Sequence, residues 1–425
     1  MEIVITMDEK TPVIPDLLQF EKAFGKIGAP TLVIIPFYSE YDMLTKHLGY
    51  LRNQTARDFD VIILPEPNSD ENKVLEIINN ANCPFGIIVA KRRFNSGGTG
   101  GFFPGQKYAL AHGYKYMILA DADCYPVDKE LVENLFKNGE HGMVTPHSVP
   151  THNDIPIRSR PPGPASSGHY SLFSEKFVRK YGLYYAPLFY GTDDVEYTQR
   201  IEKATPRPLV IGNFCETTLF GHGTLDRKFV KYWLYLLNEV IIVKAPIGFL
   251  VRCAKFIFSL MGVLLFFPGE SKKVFQILLG QALAFSYGKP AYDALAKSNI
   301  LRILKSDEVP GIANYLQIDN TERLPTGLGK SLGELFALFR KDVLVSDNVF
   351  GFRAILNAAA ARKLAYALDG ERVLVAANNS NFIIHLVKLF LFVFLSPVLL
   401  IVFLVLFVPI KIVKYPKTMG YGLDK

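Results

Sequence analysis

The chain has 425 residues, 49% hydrophobic and 20% charged, with a mean hydropathy of +0.18. It is too long for one compact core and too apolar for a wholly soluble enzyme, so two or three units are expected, some of them against lipid. The net charge of +7 comes without a dense Lys/Arg run, which argues against nucleic acid and suits an anionic membrane surface or a diphosphate ligand.

Met1 to Lys10 carries acidic residues and no apolar core, so it does not read as a signal peptide, and the catalytic part is expected in the cytoplasm. Thr31 to Phe37 (TLVIIPF) reads as a buried strand. Tyr41 to Asn53 has helical spacing, with Leu44, Leu48 and Leu51 on one face. Asp60 to Leu64 is a second strand, Lys73 to Asn79 a helix and Gly86 to Ala90 a third strand. A glycine-rich loop is expected from Asn95 to Gly105, then a helix from Gln106 to Gly113 and a fourth strand from Tyr116 to Ala120. This alternation predicts an α/β fold, a mostly parallel sheet with helices on both faces. Ligands of such sheets sit at the carboxyl ends of the strands.

Val240 to Phe267 is apolar but carries Lys244, Arg252 and Lys255, within about one quarter of a helix circumference. One basic face on an apolar helix predicts an interfacial segment, and Pro246 predicts a break or restart. Glu270 to Asn379 returns to soluble composition without a catalytic motif. Leu389 to Ile410 is long and apolar enough to cross a bilayer or, at Ser396-Pro397, to turn back. Lys411, Lys414 and Lys417 follow it. The expected divisions are 1–235, 236–290, 291–382, 383–412 and 413–425. Cys83, Cys124, Cys215 and Cys253 have neither zinc spacing nor a disulfide framework, and read as reduced core residues.

Four groups carry chemistry. Asp121-Ala122-Asp123 follows the fourth strand directly, where two carboxylates can share a divalent cation. Asn95, Gly97, Gly98, Gly100 and Gly101 form a loop that lets a ligand approach the backbone; it is neither a Walker A loop nor G-x-G-x-x-G. Asp193 and Asp194 open a helix after Leu188-Phe189-Tyr190; an N-cap role would account for one of them, and the pair also suits a general base at a pocket mouth. His222, flanked by Gly221 and Gly223, is placed to serve as a third metal ligand.

In this order, with Asn53-Gln54-Thr55 earlier and an aromatic helix ending Leu237-Asn238 later, the motifs resemble the family 2 inverting glycosyltransferases of GT-A fold. Within them the chain is similar to the galactofuranosyltransferase and rhamnosyltransferase branch, over about residues 30 to 245. The resemblance implies that Asp121 and Asp123 hold Mn2+ or Mg2+ with His222. It implies that Asp194 is the base and Asp193 shapes the acceptor site. Pro36, Phe37 and Glu66 would surround the nucleoside, while Asn95, the glycines and Asp121 would line the donor pocket. The implied partners are a nucleotide-sugar, with UDP-sugar first, a lipid-linked or glycan acceptor and the cell membrane, with the catalytic domain on its cytoplasmic side. The sequence departs from the family at Glu66, where Asp is usual, and at Leu237, where Arg is usual. A nucleotidyltransferase or a non-catalytic membrane scaffold remain alternatives. The first would need a basic glycine loop after the N-terminal strand, where Phe37-Tyr38-Ser39-Glu40 stands.

Overall fold

The computed structural model describes most of residues 18–266, except 39, 94–96, 153–154, 157–162, 165–166, 186–187, 189–190, 203, 205, 219–224 and 244–245. Beyond these it describes positions 274 and 278, three short strands between 343 and 377, and most of 390–408. Asn95 and His222 lie outside the described residues. The chain divides into two compact units, the first running to Gly221 and the second beginning at His222.

The first unit is built on one sheet. Its strands are β1 (Leu18–Phe24), β2 (Thr31–Phe37), β3 (Asp60–Pro65), β4 (Ile87–Arg92), β5 (Tyr116–Ala120), β6 (Cys124–Tyr125), β7 (Met143–His152), β8 (Ile155–Pro156), β9 (Gly163–Pro164), β10 (His169–Ser174) and β11 (Leu209–Thr218). The order is β1-β4-β3-β2-β5-β10-β7-β11-β6, with β8 and β9 beside β7. Only part of the expected parallel sheet is parallel: β4, β3, β2 and β5 run together, and β7 and β11 pair in parallel. β10 is antiparallel to both β5 and β7, so the sheet is mixed.

β2 is the hub because TLVIIPF is apolar on both faces, the pattern of a strand covered on both sides. Val33, Ile35 and Phe37 pack with Leu44 and Leu48 of α1 (Tyr41–Arg52), Val74 and Ile78 of α2 (Glu71–Ala81) and Leu135 of α4 (Leu131–Lys137). Leu32 and Ile34 pack on the other face with Phe102 and Ala109 of α3 (Gly97–Ala111), Val178 of α5 (Glu175–Tyr181) and Tyr197 of α6 (Asp193–Ile201). From β2 the sheet grows one way to β3 and β4 and the other way to β5. At such a reversal α/β sheets place their ligand crevice, here expected at the carboxyl ends of β2 and β5, where Phe37 and Asp121 stand.

From Gly97 on, the glycine-rich stretch is helix rather than the expected loop. Residues 97–105 are the first turns of α3, although Gly carries a helix-propensity cost of about 1 kcal/mol against Ala. Tertiary contact offsets that cost. A Cβ on Gly101 would stand 2.4 Å from Pro36 Cβ, and one on Gly105 would stand 2.3 Å from Ile34 Cγ2. The glycines let the helix lie close on β2, a role that local sequence does not separate from a ligand loop.

The second unit contains α7 (Leu225–Ile242), α8 (Pro246–Phe266) and an antiparallel sheet of β12 (Val343–Ser346), β14 (Arg372–Ala377) and β13 (Leu364–Asp369). Pro246 opens α8, where its missing N–H costs nothing. Lys244 lies outside the described residues. The other two cations are not a free basic face: Arg252 and Lys255 lie 3.2 and 3.5 Å from Oε2 of Glu239 on α7. Residues 394–406 are helical, and Phe403 packs on Phe256 of α8. Among the described residues, no helix is long and apolar enough to cross a membrane.

Candidate donor and acceptor site

The buried strand β5 ends at Ala120, and the next residues turn at once. The Asp121 N–H donates to the Gly168 carbonyl at 2.8 Å and the Cys124 N–H to the Asp121 carbonyl at 3.0 Å. Thr218 N–H holds the Asp123 carbonyl at 3.0 Å. With its backbone fixed this way, the D-x-D segment keeps its side chains half-buried at the crevice; that of Asp121 is 37% exposed. Among the described residues no three of His, Cys, Asp and Glu form a closed metal cage. Two hard oxygen donors on a partly open turn fit a divalent cation that keeps positions for water and phosphate.

Two histidines brace the turn, and the sequence reading identified neither. His47 of α1 is fully buried, 3.4 Å by Nδ1 from the Ala122 carbonyl and in contact by Nε2 with the Tyr170 hydroxyl. His169 stands with Nε2 3.5 Å from Asp121 Oδ2 and Nδ1 3.4 Å from Thr217 Oγ1. Burial works against a charged His169 ring, but hydrogen bonding and attraction to Asp121 outweigh it and raise the ring to about 9. Gln54 secures the segment that follows: its Nε2 donates to the Pro126 and Asp128 carbonyls at 2.9 and 3.0 Å, and its Oε1 accepts from Val132 N–H at 3.1 Å.

Burial lowers the buried His47 ring to about 4, and the Ala122 carbonyl opposes the shift only in part. Its folded value lies below the unfolded one, so its contribution to stability is present above pH 6.5 and lost as pH falls through about 4. The loss amounts to about 3 kcal/mol across that window. Urea unfolding at pH 7 and pH 4.5 should show it as a drop that is smaller in His47→Gln. Equal pH dependence of the two proteins would contradict the assignment.

A second corner forms where β2, β3 and α3 meet. Arg92, at the end of β4, donates to the carbonyls of Leu64 (3.1 Å), Phe37 (3.0 Å) and Gly97 (2.7 Å). Its Nη2 also pairs with Glu66 Oε1 at 2.7 Å, both side chains being only 3% exposed. Burial raises the Glu66 carboxyl to about 7 while the Arg92 charge pulls it down. The close ion pair favours an ionised carboxylate at neutral pH. The other carboxylate oxygen of Glu66 is buried and has no hydrogen-bond partner among the described residues. Pro36 and Phe37 close this corner from β2, so the structure gathers all three expected nucleoside-side residues here. Arg92, which sits between Lys91 and Arg93, gave no separate signal in the sequence.

Asp193 and Asp194 open α6 as expected. Thr192 before them has φ 63°, and its buried hydroxyl has no partner among the described residues. Asp194 Oδ1 accepts the Val195 N–H at 2.8 Å, a local bond at the helix start. Tyr184 connects this pair to the D-x-D segment. Burial raises its hydroxyl well above the usual tyrosine value, and the carboxylates of Asp193, Asp194 and Asp121 all add to the shift. The charges of two distant acidic segments are therefore both felt at this one buried phenol. Tyr184 stacks on Tyr197 with centroids 5.1 Å apart, and its hydroxyl donates to Ser167 Oγ. Gly97 and Gly101 belong to α3, with Gly98 and Gly100 between them in the same helix.

Residues 32–181, from β2 through α5, match the model of the family described as glycosyl transferase family 2. Galactofuranosyltransferase GlfT1 of Mycobacterium tuberculosis is 27% identical over 185 residues, covering 38% of this chain and 60% of that protein. The chain thus spans about 60% of the length of the curated relatives it matches. Among solved structures, the mannosyltransferase PcManGT from Pyrobaculum calidifontis, in complex with GDP-Man and Mn2+, is similar at TM-score 0.40. It is 14% identical, with 79% of this chain and 87% of that chain covered. S. aureus TarS 1–349 is similar at TM-score 0.37 and 12% identity, with 65% and 83% covered. At these scores both likenesses are distant.

Proposed function

We propose that this chain is a family 2 glycosyltransferase of GT-A type that moves a sugar from a nucleotide-diphosphate donor to a lipid-linked or glycan hydroxyl, with inversion. The family match supports the class. The observation that carries the reaction is the place of Tyr184: its hydroxyl bonds Ser167, next to the Gly168 carbonyl that holds Asp121, and its ring stacks on Tyr197 of α6, the helix that Asp193 and Asp194 open. In this reading Asp121 and Asp123 serve the donor's diphosphate, and Asp193 and Asp194 serve the acceptor.

In this reading Pro36, Phe37 and Glu66 hold the nucleoside. The unpartnered oxygen of Glu66 supplies an acceptor for a base or ribose donor, and Arg92 fixes that carboxylate. Asp121 and Asp123 would hold Mn2+ or Mg2+, and the ion would supply positive charge to offset that of the leaving nucleoside diphosphate. Asp194 takes the proton from the acceptor hydroxyl as its oxygen attacks the anomeric carbon in a single displacement. Asp193, beside it, orients the acceptor. The expected roles of Asn95 and His222 in donor and metal binding belong to the same proposal.

A membrane setting, with this domain on the cytoplasmic side, is also part of the proposal. In the second unit Ile247, Leu250 and Val251 of α8 are more than half exposed, and so are Phe394, Ile401 and Val405. Apolar surface of that extent suits a lipid interface. The test of the whole reading is a panel of nucleotide-sugars incubated with the full chain in lipid or detergent, with and without Mn2+. Metal-dependent release of nucleoside diphosphate from one or two donors is expected. Release of pyrophosphate from nucleotide and sugar phosphate would instead mark a nucleotidyltransferase, and no turnover of any donor a scaffold.

A further inference from the structure

His169 occupies an unusual backbone position. β10 pairs with β5 in steady register except between His169 and Ser171, where the register slips and Tyr170 is left over. Tyr170 has φ 58°, in the left-handed region that a bulky side chain rarely adopts. Its side chain is fully buried and meets His47 beneath the D-x-D turn. Bulges of this kind redirect a neighbouring side chain, often beside a functional site. Here the redirected side chain is His169, with Nε2 3.5 Å from Asp121 Oδ2. Gly168 leaves room for that contact, since a Cβ there would stand 3.2 Å from the same oxygen. On its far side the ring is backed by Thr217 Oγ1 at 3.4 Å, itself 2.7 Å from Ser148 Oγ. A chain of hydroxyl, imidazole and carboxylate thus runs from β7 and β11 to the tip of β5.

We infer that His169 is a positioning residue for the donor's cation: it occupies one oxygen of Asp121 and so keeps the other turned toward the metal. The inference rests on the assignment of Asp121 as a metal ligand in the proposed function. Its physical basis is general. Ligands to a metal are oriented by the hydrogen bonds they make away from it, and loss of such a partner weakens metal binding by about 10- to 100-fold. The bulge gives this partner a fixed place, because Tyr170 is locked against His47 and the ring cannot swing away with the strand end.

The test is Mn2+ binding, followed by the electron paramagnetic resonance of free Mn2+ in the presence of UDP, on the full-length chain and without turnover. His169→Ala should raise the apparent Mn2+ dissociation constant by about tenfold or more, with the metal-free melting temperature unchanged. His169→Gln, which keeps an N–H donor, should recover most of the affinity. If His169→Ala fails to fold, Thr217→Val, which removes the group behind the ring, should give the same loss to a smaller degree. Unchanged Mn2+ affinity in His169→Ala, beside a clear loss in Asp121→Ala, would overturn the inference and leave the proposed function standing. Equal loss in the alanine and glutamine variants would also overturn it, since the ring would then act as ligand or cation. Absence of Mn2+ binding by the wild-type chain with any nucleotide would defeat the proposed function and the inference with it.

Discussion

Asp121→Ala should abolish metal-dependent nucleotide binding and leave the fold intact. The fold should survive because the hydrogen bonds that shape the turn run through the Asp121 backbone, to Gly168 and from Cys124, and alanine keeps both. The side chain is 37% exposed, and substitutions at such positions usually change stability little. Function should not survive because only Asp123 would remain of the paired carboxylates, and one monodentate oxygen is a poor hold for a hard divalent cation. Affinity for UDP in the presence of Mn2+ should fall by about two orders of magnitude or more, toward the metal-free value. Calorimetric titration of wild-type and variant chains with UDP, with and without Mn2+, reads this directly. A variant that keeps the wild-type metal effect would remove Asp121 from the cation site. Asp123→Ala should behave alike.

The parallel part of the fold was legible because its strands are unbroken apolar runs. TLVIIPF and YMILA are covered on both faces, so the hydrophobic pattern alone marks them. Helix α2 is longer than its apolar positions suggest, since Asp70 caps it through Lys73 N–H at 3.2 Å and starts it two residues earlier. The half of the sheet beyond β5 was not legible. β7, β10 and β11 carry Pro, Ser, Thr and His, and they are defined by partners far along the chain. The glycine stretch misled for a related reason. Its conformation is set by contact with Pro36 and Ile34, which no local pattern reveals.

The site divides in the same way. Asp121, Asp123, Glu66 and the pair Asp193-Asp194 were legible because each follows an apolar run or opens a helix, where side chains meet the crevice. Their braces were not. His47 looks like one polar residue on an otherwise apolar helix face, and Tyr170 and His169 depend on a one-residue slip between strands. Arg92 is one of three adjacent cations, and only the meeting of three chain segments singles it out. Motif reading thus recovers the groups proposed to touch ligand, whereas the groups that aim them come from tertiary packing.

The second large effect is expected at the start of α6. Asp194→Asn should lower turnover by about two to four orders of magnitude while donor binding stays at the wild-type level. The substitution is nearly isosteric, and an asparagine Oδ1 can still accept the Val195 N–H that Asp194 now accepts at 2.8 Å. Helix start and fold should therefore persist. What disappears is a carboxylate able to take a proton from the acceptor hydroxyl, and no amide can replace it near neutral pH. In the proposed roles Asp194 serves the acceptor and the Arg92–Glu66 corner the nucleoside, so UDP affinity should be unaffected. Steady-state turnover and UDP titration on the same preparation separate the two quantities. Asp193→Asn is the control. It leaves a carboxylate at 194 and is expected to raise the acceptor concentration needed for half-maximal rate more than it lowers the rate. Should Asp193→Asn be the inactive protein and Asp194→Asn the active one, the base is Asp193, and Asp194 is only a first-turn residue of α6 that accepts the Val195 N–H.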